Sequence, residues 1–132
     1  MAVIAWPLPL ATAVGADDSA TATVVSGSVI TGELVGVAIV QSASPDAATV
    51  LTFSWTNGNT PVNTFLTLAS YATVSKTIYP LALAQGTTGA DLTAVYTRIP
   101  IDGYVKLVVT LAKSAQTVQV YLLVETYGGG VR

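Results

Sequence analysis

The chain has 132 residues, with five Lys and Arg against seven Asp and Glu and neither histidine nor cysteine, which is enough for one domain. Without imidazole or thiolate, Ser-His-Asp catalysis, disulfide frameworks and the usual zinc sites are excluded. Charged residues make up 9% of the chain, where a soluble domain carries about 25%, so Thr, Ser, Ala, Gly and Val must supply most of the surface. Such a surface gives a free monomer little protection against association, and this composition suits a chain packed against neighbours.

In chain order, the first segment is apolar and extended: Ile4, Trp6, Leu8 and Leu10 alternate around Pro7 and Pro9. It lacks a basic start, and the prolines interrupt any helical apolar stretch, so neither export nor a membrane span is expected. Two readings stand for it. It is an edge strand folded back on its own sheet, or a proline-stiffened arm reaching a neighbouring subunit, since a stiff segment loses less entropy on docking. On the arm reading, deleting residues 1–12 leaves the body folded and weakens attachment.

Period-two alternation rich in β-branched residues runs through the rest of the chain. Strands are expected at 20–30, 33–42, 49–56, 63–70 and 92–99, with Leu51, Phe53 and Trp55 forming the aromatic heart of the core. Asn57-Gly58-Asn59 is the strongest turn, because Asn-Gly tolerates the positive φ of tight hairpins. Residues 71–91 read mostly as loop. The last two strands read as a hairpin turning at Lys113–Gln116, with Val105, Leu107, Val109, Leu111, Val118, Val120, Leu122 and Val124 on one buried face. On that register Tyr104 and Tyr121 share the outward face.

Roughly seven to nine such strands and no helical period predict an all-β fold: an antiparallel β-sandwich, jelly-roll-like, with a small barrel as the alternative. Its parts are an extended N-terminal arm over 1–17, a sandwich over 18–126 and a flexible Gly-rich tail over 127–132.

Few residues offer chemistry. Asp17-Asp18 is the sole adjacent acidic pair and reads as a cap or solvated turn rather than a calcium site. Glu33, Asp46, Asp91, Asp102 and Glu125 give no reason to choose a glycosidase pair, and Asp46 and Asp102 sit in turn contexts. Gln85-Gly-Thr-Thr-Gly89 has no Lys and is no phosphate loop. Lys76, Arg98, Lys106, Lys113 and Arg132 are scattered singly, which argues against nucleic acid. The expectation is no enzyme, no cofactor and no metal. The candidate partner-binding residues are Ile4, Trp6, Leu8 and Leu10 of the arm together with Tyr104 and Tyr121, since tyrosine presents apolar area with a polar tip.

Tyr79-Pro80, a Gly-containing loop, Arg98-Ile-Pro-Ile-Asp-Gly103 leading into Val105–Val109, and Val118-Gln-Val-Tyr-Leu122 follow one another in an order similar to small structural proteins of tailed bacteriophages. Ile30-Thr-Gly-Glu-Leu34 fits the same pattern, so the resemblance spans roughly residues 18 to 125. It implies a virion component assembled in the host cytoplasm: a capsid decoration or cement protein, homotrimeric, on the outer surface of the head. Its partners would be the major capsid protein and neighbouring copies of itself, with no nucleic acid and no membrane. The alternative from another class is a tail or fibre module that binds carbohydrate or a receptor by stacking on exposed aromatic rings.

Overall fold

A computed structural model describes residues 2–58, 62–85 and 89–126. They form β1 (Ala2–Pro7), β2 (Ala11–Thr12), β3 (Ala20–Val25), β4 (Ile30–Gln41), β5 (Val50–Thr56), β6 (Asn63–Leu68), β7 (Ser75–Ile78), β8 (Ala82–Gln85), β9 (Asp91–Thr97), β10 (Ile99–Ala112) and β11 (Thr117–Thr126). The fold is all-β, as the alternation predicts. A curled antiparallel sheet follows the order β1-β11-β4-β10-β5-β6, with the geometry of a β-sandwich or half-barrel, and β8 and β9 form a separate two-stranded ribbon.

The curl comes from β10, which belongs to both layers. Ile99–Gly103 pairs with Ile30–Leu34 of β4, whereas Tyr104–Thr110 pairs with Val50–Thr56 of β5 and, on its other side, with β3. Strands that change layers this way build the corners of sandwiches. The change falls at Gly103, where a Cβ would collide with the carbonyl oxygen of Thr56, so no larger residue fits the corner.

Along β4 the inward positions are Ile30, Gly32 and Leu34, then Val37, Ile39 and Gln41. The parity flips because Leu123 of β11 faces Gly36 while Val124 faces Leu34, leaving Val35 as the extra residue of a β-bulge. A similar break ends β10: its ladder with β3 shifts between Val109 and Ala112, and Leu111 has φ 53. Leu111 therefore turns outward and is exposed, while Ala112 takes the buried position.

Three expectations are corrected. β10 and β11 are not a hairpin: β11 pairs with β4, β1 and β2, and the Lys113–Gln116 turn carries the chain from one layer to the other. Trp55 is half-buried at the margin of the core, whereas Leu51 and Phe53 on the same face are fully buried. Part of the stretch read as loop is β7, paired with β4, and β8, paired with β9. The strands flanking Asn57-Gly58 do pair antiparallel, and Gly58 has φ 88; Asn59 and the tail over 127–132 lie outside the described residues.

Candidate protein-contact surface

The N-terminal segment lies against its own sheet. Ala2–Pro7 runs antiparallel to Tyr121–Thr126, and the Leu8 amide donates to the Val120 carbonyl at 2.9 Å. Ile4, Trp6 and Leu8 share the inward side of this edge and grade from exposed through half-buried to buried as the opposite layer closes over them. The Trp6 indole N–H is buried with no hydrogen-bond partner. Leu10 points to solvent. The segment is thus an edge strand rather than a free arm, and its strand pairing is what holds it.

This placement reverses the expected result of truncation. Leu8 and Ala11 belong to the core, and Gln119 Nε2 donates to the Leu8 carbonyl at 2.7 Å. Removing residues 1–12 should therefore lower the melting temperature sharply, and Leu8→Ala alone should cost about 2 to 5 kcal/mol. A truncated chain that melts with the intact one would show that the segment is dispensable to the fold.

Tyr121 and Tyr104 stand on the outward sides of different layers, because no ladder joins β11 to β10. Tyr121 lies at the centre of a face with hardly any charge. Across the first layer the outward rows read Pro7, Tyr121, Ala38, Thr77, then Ala5, Leu123, Gly36, and, on the other side, Gln119, Val40, Ser75. Beside the second row the Tyr79 ring lies over Gly36, where a Cβ would meet Tyr79 Cδ1 at 3.0 Å. Tyr121, Val40 and Tyr79 are 40%, 44% and 68% exposed. The face is bounded by Glu33 and Glu125, the latter paired with Arg98 at 2.8 Å. Of the six candidates, none shares a face with Tyr121: Ile4 and Trp6 lie on the neighbouring strand but on its inward side, Leu8 lies in the core, and Leu10 and Tyr104 lie apart.

At one end of the sandwich, the carboxyls of Asp18 and Asp46 interact and shift each other in opposite directions. The hydrogen bond from Asp18 to Asp46, with the charge of Asp46 beside it, raises the Asp18 carboxyl above the usual carboxylate value. Accepting that bond and the Ala48 amide at 2.8 Å lowers Asp46. Nearby, the Asp17 carboxylate accepts the Ser114 amide and Lys113 Nζ donates to the Ser44 carbonyl. Among the described residues, no three acidic side chains gather as a metal site. A raised pKa contributes stability that is present at low pH and lost as pH rises through it; the lowered partner contributes stability that is lost as pH falls. Asn at position 18 donates without needing a proton and tolerates the φ of 69 found there. Asp18→Asn should therefore raise the melting temperature at neutral pH and narrow its difference from the value at mildly acidic pH. An unchanged pH profile would contradict the coupling of the two carboxyls.

Two features escaped the sequence. One is a buried polar network around Gln116, whose partners Gln41, Asp46 and Thr49 are 67 to 75 residues distant and leave no local signal. The other is β8 and its pairing with β9, which the expected strand over 92–99 overlaps, in a ribbon with exposed Val95 and Tyr96.

No protein-family model, no curated protein and no solved structure matches the chain.

Proposed function

We propose that this chain is a non-enzymatic virion structural protein that decorates and cements the outer surface of a phage head, as trimers, through contacts with the major capsid protein and with neighbouring copies. The observation that carries this reading is the uncharged outward face centred on Tyr121, flanked by Val40, Leu123, Ala38 and Tyr79. Desolvating such a face requires no buried charge to be paired, and tyrosine is enriched in the cores of protein interfaces. Composition points the same way, since a chain without His or Cys lacks the commonest catalytic base and thiol nucleophile. Many weak attachments on a repeating shell act together through effective concentration. The resemblance to small structural proteins of tailed phages supplies the partner.

The test is co-sedimentation of the purified protein with undecorated heads, followed by heating of the particles. Saturable binding and a raised head-disruption temperature are expected, and Tyr121→Lys should abolish both. Failure to bind heads, together with sugar binding by the isolated domain, would replace this reading with the carbohydrate-module alternative.

A further inference from the structure

The β8–β9 ribbon leaves the body at an unusual place. β7 occupies the edge of β4 along Val37–Val40, and the first part of β10 occupies the same edge along Ile30–Leu34. Residues 79–85 and 89–98 therefore depart from the sheet between these two partners, beside the bulge at Val35. At the root, Tyr79 covers Gly36, and Arg98 is pinned to Glu125. Beyond the root, β8 and β9 pair only with each other among the described residues. Val95 and Tyr96 are 48% and 61% exposed, and Leu81 is 57% exposed. Consecutive strand residues point to opposite faces, so neither face of the ribbon is covered at these positions. An isolated two-stranded ribbon is marginal in water and needs a third strand or a packed face.

A matching vacancy lies on the opposite edge of the first layer. The Leu8 amide points at β11, so by the two-residue repeat Val3 and Ala5 turn their N–H and C=O groups away from it, toward the free edge. Pro7, which has no N–H, shares this orientation and loses no ladder bond there. No charge blunts this edge: the first charged residue of the chain is Asp17, and Val3 and Ile4 are exposed. β9 is likewise uncharged from Leu92 to Thr97.

We propose that the 79–98 ribbon of one copy docks through the open edge of β9 onto the β1 edge of a second copy, adding its strands to that copy's sheet. Donor and acceptor stand on opposite edges of the same layer, so the contact is head-to-tail and generates a closed ring when the rotation between copies permits. Backbone bonds supply the pairing, as in other strand additions, and Val95, Tyr96, Val3 and Ile4 supply apolar burial. The inference deepens the proposed function by naming how neighbouring copies join. Because it is tested without capsids, its failure leaves the head-binding experiment standing.

Sedimentation of the full-length protein in solution is expected to show assemblies of two or more copies. Ala5→Pro removes an N–H that no strand among the described residues uses, and Val95→Lys with Tyr96→Lys alters only exposed ribbon positions. Each variant alone should sediment as a monomer with an unchanged melting temperature. Mixed, they should form a one-to-one complex, because one retains the edge and the other the ribbon. Should Ala5→Pro fail to fold, Val3→Glu on the same edge replaces it. A monomeric parent, a variant that still assembles, or a mixture that does not associate would each overturn the proposal.

Discussion

Phe53→Ala is expected to cost about 3 to 5 kcal/mol, whereas Trp55→Ala, although it deletes a larger side chain, should cost roughly half as much. The reason is position along one strand. Phe53 is fully buried opposite Leu107, with the Phe65 ring 6.1 Å away between centroids. Trp55 lies two residues on, opposite Val105, and keeps part of its surface in water. Deleting Phe53 leaves a cavity between two layers that strand ladders hold in place, whereas solvent and the neighbouring side chains can fill the space left by Trp55. Denaturant titration of the two variants measures both costs. A Trp55 variant less stable than the Phe53 variant would place the centre of the core elsewhere.

Gln116→Leu is expected to be comparably damaging, about 3 to 5 kcal/mol, although it replaces a polar side chain with an apolar one of similar size. Gln116 is 3% exposed and uses both ends of its amide. Its Oε1 accepts the amides of Asp46 and Lys113 at 3.0 and 2.9 Å. Its Nε2 donates to Gln41 Oε1 at 2.8 Å and Thr49 Oγ1 at 3.1 Å. Gln41 in turn donates to the carbonyls of Tyr71 and Thr73, and Thr49 donates to the Asp46 carbonyl. One side chain thus ties the inter-layer turn to two other loops. Leucine would leave the buried Gln41 Oε1 without its donor, at about 1 to 3 kcal/mol, and would strip the part-buried Asp46 and Lys113 amides of their acceptor. Gln116→Glu keeps the acceptor but brings a charge into the cavity, and should also destabilise. A Leu variant as stable as the parent would mean that the network relaxes to reach water.

These cases show which parts of the molecule were legible in its sequence. Alternation located β5, β10 and β11 and identified Val105, Leu107, Val109, Val118, Val120, Leu122 and Val124 as inward-facing, because a period of two is a local property. Local pattern does not say which strand pairs with which. The turn at 113–116 resembles a hairpin turn, but it joins opposite layers because β10 changes layer at Gly103, a corner set by contact with Thr56 from a distant strand. Leu111 fits the alternation yet faces outward, since its own positive φ shifts the phase. The candidate surface was legible in part. Tyr121 was found from strand parity, but Ala38, Val40 and Thr77, which surround it, come from β4 and β7. The apolar context of Leu8 suggests contact surface and does not reveal that the opposite layer closes over it.

The central claim is that the uncharged face around Tyr121 is covered when the protein works. An electron-microscopy reconstruction of the native particle tests it most directly. If the chain decorates a phage head as proposed, β-domains will lie on the outside of the head with Tyr121, Val40 and Tyr79 buried against a protein neighbour. A reconstruction in which that face looks into solvent, or from which the protein is absent, would contradict it.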